Sequence, residues 1–395
     1  MRKILTKVYL KKNEERRVKL GHLWIFSNEI QKVEGDASNG DVVNVIDSRN
    51  NFVGSGFYNS NSLIAVRIIS SEEKVDLEKL IRERLHKAFE LRKTVYPNRD
   101  SFRMVFSESD FLPGLIIDKY NDTFVLQIYS AGIEKNIELI TKILKEDCSA
   151  KNIFSKGEEY FRKMEGLPAE DKVYFGEMKE QIISDGKVKY KINFETGHKT
   201  GFYFDQCDNR EFFGKFCKDK SVLDCFCNSG GFGLHAVFNG AESVVFVDSS
   251  SEEIKNAQEN FSLNGFITKS QFVQSDVFDY LEKCKTEGKK FDIINLDPPA
   301  FAKNKKTIAT ALKGYEKLNR LAMEILKEDG LLFTSSCSHH VQREMFLDVI
   351  NNAAIKAGKK NQLFYFNGAS LDHPSLPAMD ETVYLKFAAF RISSK

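Results

Sequence analysis

Apolar residues change their spacing three times along this chain of 395 residues. Within 1–70 they gather in short β-branched runs. DVVNVID (41–47) and SLIAVRII (62–69) are separated by a turn-prone stretch rich in Gly and Asn, which predicts strands. Between 76 and 96, Leu77, Leu80, Ile81, Leu85 and Ala88 recur at helical spacing, with Asp76 placed as an N-cap and Pro97 and Asn98 as the stop. Residues 101–190 then read as a small α+β unit. SDFLPGLIIDKYND (109–122) holds an apolar strand between two turn signals. TFVLQIYS (123–130) pairs with it as a hairpin, and IEKNIELITKILKE (133–146) has helical period. From 191 onward strands alternate with helical patterns, the signature of a parallel α/β sheet. The expected order is a β-rich domain at 1–72, a connector helix at 73–100, a central α+β domain at 101–190 and an α/β domain at 191–395. No internal repeat or low-complexity tract interrupts it.

Chemistry concentrates in the last of these. VLDCFCNSGGFGLHA (222–236) reads as a buried strand, a glycine turn and the start of a helix, so that the backbone bends tightly and approaches a ligand closely. Its G-G-x-G spacing departs from the G-x-G-x-x-G of dinucleotide sites, which argues against a nicotinamide oxidoreductase. VVFVDSS (244–250) ends a second strand in Asp248, suited to accept from both ribose hydroxyls; Asp276 follows a third strand and faces an adenine edge. Asp224, inside the first strand, is placed to hold a methionine amine. NLDPPAF (295–301) is another strand, ended by Asp297, Pro298 and Pro299. The prolines remove two backbone donors and leave Asp297 turned outward to grip the edge of a base, with Phe301 to stack on it. Together these features predict a Rossmann-like domain that binds S-adenosylmethionine and presents a planar substrate at the edge of its sheet.

The next strand, LLFTSSCS (331–338), carries Cys337 near its tip, across from Asp297; Cys225 and Cys227 are expected inside a strand. A thiol matters for one class of target. Carbon 5 of a pyrimidine is not nucleophilic until a nucleophile adds at carbon 6, whereas an exocyclic amine needs no thiol. His339 and His340 follow and could lower the thiol pKa, although ordinary loop residues are the simpler reading.

Composition narrows the setting. The length suits two or three domains, and 42% apolar residues suffice for packed cores. No apolar run is long enough for a membrane helix, and the first residues lack a secretory apolar stretch. Seven cysteines without a Cys-x-x-Cys pair argue against a disulfide framework or a zinc site and favour a reducing cytoplasm. Net charge is only +2, but residues 1–20 hold eight Lys or Arg against two Glu, and 303–320 hold six against one. Either patch suits RNA phosphates; solvated surface is the plain alternative.

In this order the motifs resemble one family: class I, S-adenosylmethionine-dependent ribosomal RNA cytosine-5 methyltransferases with an N-terminal PUA domain. GHLWIFSNEI (21–30) is similar to the opening of the PUA β-barrel, and 109–122 to the start of the central domain. ETGHKTGFYFDQCDNR (195–210) is similar to the segment before the cofactor strand. The resemblance implies Cys337 as nucleophile and Asp297 as the group holding cytosine. It also implies a cofactor site lined by Asp224, Gly230, Asp248 and Asp276, with Lys199, Thr200 and Gln206 closing it. Pro298, Phe301, Lys303, Lys305 and Lys306 would face RNA. The family further suggests large-subunit (23S) RNA as partner and homodimers. Cys207 stands where members often have arginine and His198 where they often have glutamine. Two rivals stay open: a methyltransferase acting on a purine amine or ring nitrogen, and a non-catalytic RNA-binding assembly factor.

Overall fold

The computed structural model describes residues 6–195, 200–302 and 304–395. The chain forms two compact units: Met1–Ile183 with Ile192–Phe202 and Leu371–Thr382, and Ser184–Lys191 with Tyr203–Ser370 and Val383–Lys395. The expected boundary near 190 is therefore crossed more than once. The hairpin tip Ser184–Lys191 packs with the second unit, while 192–202 and 371–382 return to the first.

In the first unit, strands Lys7–Leu10, Trp24–Phe26, Ile30–Glu34, Val42–Ile46, Phe52–Tyr58 and Ile64–Ser70 make one sheet. Register shifts at Tyr9/Leu10, Ile25/Phe26, Val45/Ile46 and Ser55/Gly56 bend its strands, as bulges do, and give the expected N-terminal domain its curl. The helix Leu77–Val95 starts as read: Asp76 accepts from the Lys79 N–H at 3.1 Å, and Ile81, Leu85 and Ala88 are buried. A five-stranded sheet follows, with Leu115–Tyr120 and Thr123–Ile128 paired antiparallel. The single helix expected over 133–146 is two, Ala131–Lys135 and Ile137–Cys148. Asn136 breaks it: its side chain donates to the Gly132 carbonyl at 2.8 Å, offering the backbone an alternative partner.

The second unit is built on seven strands, numbered here in chain order: β1 (Ser221–Cys225), β2 (Ser243–Asp248), β3 (Lys269–Gln274), β4 (Phe291–Leu296), β5 (Leu326–Ser336), β6 (Lys359–Asn367) and β7 (Lys386–Ser394). Their order is β3-β2-β1-β4-β5-β7-β6. The first five are parallel; β7 runs antiparallel to β5 and β6. β1, β2, β4 and β5 are largely buried, and Leu223, Cys225, Val247, Ile294 and Leu332 lie in one core. Strand order reverses at β1, with β2 on one side and β4 on the other. A crevice beyond the carboxyl ends of these strands is where open α/β sheets bind ligands.

Candidate active site

Backbone strain marks the end of β1. Phe226 (φ 59°) and Asn228 (φ 49°) are left-handed without being glycine, and Gly230 follows at φ 92°. Such strain persists only where the surroundings hold it and clusters at functional sites. Here three bonds hold it. Cys227 N–H donates to the Val247 carbonyl, Gly230 N–H to the Cys227 carbonyl, and Asn228 N–H to Asp248 Oδ2 at 3.0 Å. Cys227 thus belongs to the turn, not to the strand, which stops at Cys225. The glycines divide the work. Gly230 supplies the left-handed conformation that starts helix Gly231–Phe238; Gly233 serves packing, since a Cβ there would lie 2.1 Å from the Phe246 ring.

The acids predicted for the cofactor fall at the tips of β1, β2 and β3 but differ in exposure. Asp224 is fully buried. Its Oδ2 accepts from Gly233 N–H at 2.7 Å and its Oδ1 from the Asn295 amide at 2.9 Å, so it anchors the turn from beneath. Burial pushes its pKa up to about 7 against those two bonds. Asp248, half-buried, also accepts from Ser250 N–H at 3.0 Å. Asp276 is exposed and caps helix Val277–Thr286, its Oδ1 accepting from Phe278 and Asp279. Acceptors at the second and third strand tips, beside a helix N-terminus, fit the ribose and adenine of S-adenosylmethionine.

The tips of β4 and β5 carry the other half. Leu296 pairs with Thr334, which sets Asp297 and Cys337 on adjacent parallel strand ends. Cys337 Sγ lies 3.8 Å from the Pro298 carbonyl of the Asp-Pro-Pro turn. Asp297 Oδ1 accepts from the Gln206 amide at 3.0 Å, and the same amide nitrogen reaches Ser335 Oγ at 3.2 Å. Enclosure by protein, then the nearby Asp205 charge, raises the Asp297 pKa to about 7. Residues either side of Cys337 are pinned. The Tyr315 hydroxyl bonds Ser336 Oγ and Ser338 Oγ, both at 3.0 Å, Ala302 N–H donates to Ser338 Oγ at 3.1 Å, and Lys386 Nζ donates to the Ser338 carbonyl at 2.7 Å.

The other predicted positions differ in setting where they are described. Thr200 is buried in the first unit, where its hydroxyl donates to Asp118 Oδ2 at 2.5 Å and helps satisfy the carboxylate that Arg103 pairs with. Lys199 and Lys303 lie outside the described residues. Pro298 is buried. The Phe301 ring, expected to stack on a base, packs on Tyr315 at 4.7 Å and Phe278 at 6.4 Å between ring centres. Lys305 and Lys306 are exposed on a short turn capped by Asn304 and make no ion pair among the described residues, whereas Lys317 pairs with Glu282 and Arg320 with Glu324. Only part of that basic patch is therefore unneutralised. Tyr315, Ser338 and Lys386 were not anticipated. For Lys386 a signal existed: a lone lysine opens the otherwise apolar strand KFAAF.

The strand order, the strained turn at the switch point and the acids beyond it define a class I methyltransferase fold with an N-terminal PUA-like domain. A model of the PUA-like domain matches residues 8–71, and one described as conserved hypothetical protein 95 matches 201–365. Two solved structures share the fold. SMU.776, a methyltransferase complexed with SAH, has a TM-score of 0.85 at 21% identity, covering 98% of this chain and 100% of that one. A SAM-dependent methyltransferase from Streptococcus mutans gives 0.83 at 20%, with the same coverage. Among curated proteins, the ribosomal RNA large subunit methyltransferase I of Aeromonas hydrophila is 39% identical over 387 residues, 96% of this chain and 97% of its own. That of Tolumonas auensis is 37% identical over 389 residues, 96% and 98%. The chain belongs to the ribosomal RNA large subunit methyltransferase I family.

Proposed function

We propose that this protein methylates carbon 5 of a cytosine in large-subunit ribosomal RNA, with Cys337 as covalent nucleophile. The carrying observation is the pairing of a thiol with a carboxyl titrating near neutrality on adjacent strand tips. Family membership supports the substrate class, since the relatives are named for large-subunit ribosomal RNA. When bound, S-adenosylmethionine supplies the electrophilic methyl group; Asp248 and Asp276 would hold its adenosyl part, with Asp224 fixing the turn between them and the sheet.

The chain's own groups do the rest. The base is swung out of its stack to reach the strand tips. Cys337 Sγ adds its electron pair to carbon 6. Negative charge then spreads through carbon 5 toward the N3–C4 end of the ring. Asp297, protonated in part at neutral pH because it is enclosed, donates to N3 as that charge builds. Carbon 5 takes the methyl group and loses its proton to water, the sulfur–carbon bond breaks with its pair returning to sulfur, and the N3 proton returns to Asp297, which restores the ring. The PUA-like domain and the exposed Lys305 and Lys306 supply phosphate contacts.

Nucleoside mass spectrometry tests this, on ribosomal RNA from cells lacking the gene after incubation with purified protein and labelled cofactor. Label in 5-methylcytidine is expected. Label in a methylated purine would move the reaction to an amine or ring nitrogen and remove the thiol's role. Failure to bind S-adenosylmethionine would favour an assembly factor.

A further inference from the structure

Lys386 stands out as a buried cation with no carboxylate partner among the described residues. It is 6% exposed at the start of β7, directly across from Ser336 on β5. Its Nζ donates to the carbonyls of Ser338 and Tyr384, both at 2.7 Å, and it forms no ion pair among the described residues. Two neutral acceptors leave a full positive charge enclosed and one N–H unused. Burying a charge in this way is costly, and a protein that keeps it has a use for it.

We propose that Lys386 is the positioning and charge-balancing partner of Cys337, holding the strand end on which the thiol sits and stabilising its thiolate. This rests on the reading of Cys337 as nucleophile. The geometry supplies both roles. The Ser338 carbonyl belongs to the residue after Cys337, so the bond from Nζ fixes the thiol's backbone from the adjacent strand. It also brings the ammonium within two residues of the sulfur. Burial lowers the lysine pKa, to about 8, against the opposing charge of a Cys337 thiolate. Such coupling is mutual: a thiolate that favours the ammonium is favoured by it. Among the described residues, Tyr203 and Tyr315 also face this thiol, whose charge pushes their hydroxyls toward the neutral form, and Asp297 ends the adjacent strand. None of these adds a positive charge. His339 and His340 come next in sequence, and burial, then His339 and Lys305, hold the His340 pKa down, so it is a poor counter-ion. In the step itself the thiol proton leaves to water, the sulfur keeps its electron pair, and the ammonium keeps its protons.

Alkylation tests this without RNA or cofactor. The full-length protein is treated with iodoacetamide across pH 5.5–10, and modification of Cys337 is followed by peptide mass spectrometry. Lys386→Met should move the midpoint up by about one pH unit and slow alkylation near pH 7 by about tenfold. Lys386→Arg should keep the parent midpoint. If Lys386→Met does not fold, Lys386→Gln, which still donates but carries no charge, gives the same comparison. A parent-like midpoint in the uncharged variants, with unchanged melting temperature, would overturn the proposal. A shifted midpoint in a protein whose product is not 5-methylcytidine would instead overturn the reaction and leave the coupling standing.

Discussion

The turn after β1 and the paired tips of β4 and β5 both end buried strands in polar groups, yet they are built in opposite ways. The first is local. Phe226, Asn228 and Gly230 are contiguous in sequence, and Asp224 spends both oxygens on the turn and its neighbouring strand. The second is assembled from far apart: Asp297, Cys337, Gln206, Tyr315 and Lys386 come from five separate segments. Two carboxyls are pushed to about 7 by burial and a nearby like charge, but Asp224 sits against two hydrogen-bond donors and Asp297 against one. A sealed acid builds a scaffold, whereas one at an open strand tip can trade its proton with a substrate.

The sharpest way to break this contrast is Cys337→Ala. If chemistry resides in the assembled half, methyl transfer should fall by about a thousandfold or more while cofactor affinity, measured by calorimetry, stays within about twofold. A full loss of cofactor binding would merge the two halves into one site.

Gly233→Ala attacks the local half. A methyl group there meets the Phe246 ring at 2.1 Å, so helix Gly231–Phe238 must shift. Overpacking of this kind costs about 1–3 kcal/mol, read as a lower melting temperature, and cofactor binding should weaken with it. An unchanged melting temperature would mean that the helix moves freely and that the turn is not pre-organised.

These two halves also differ in how far the sequence disclosed them. Strand–glycine–helix and strand–Asp-Pro-Pro are written in consecutive residues, so Asp248 and Asp297 could be placed at strand ends, and Gly230 in the turn, by pattern alone. The structure reassigned Gly233 from the ligand to packing, because only the register of β1 against β2 puts Phe246 beneath it. Thr200 was legible as part of a motif but not as the partner of Asp118, which lies 82 positions away. Sequence separation likewise hid Tyr315 and Lys386, 23 and 48 positions from Ser338. Their roles depend on which strand neighbours which, and β7 enters the sheet antiparallel, out of chain order.

Asp297→Asn sharpens the difference between the two acids through pH. The parent carboxyl has a folded pKa near 7, above its ordinary 3.8, so the stability tied to its protonated form is complete below about 4 and is lost as pH rises through 7. An amide does not ionise and suffers no such loss. The variant should therefore gain stability relative to the parent as pH rises from about 4 to 7, by a few kcal/mol at most (about 1.4 kcal/mol for each pH unit) in thermal or urea unfolding of the cofactor-free protein. A parallel pair of curves would place Asp297 in the ordinary carboxylate range and end its candidacy as a proton donor to N3.

The smallest effect is expected where side chains meet solvent. Lys305 and Lys306 are exposed and without ion pairs among the described residues, so each can add a phosphate contact but none of the positioning. Replacing both with Ala should weaken RNA binding by several-fold and lower the slope of log affinity against log salt by about 1–2, with catalysis at saturating RNA unchanged. The salt slope is the decisive readout. A phosphate contact releases counterions and must appear in it, while a surface lysine that only keeps the loop hydrated leaves it untouched. If the slope holds and affinity still falls, the pair acts through the shape of the loop, and the boundary between the assembled half and the RNA surface lies further out than the strand tips.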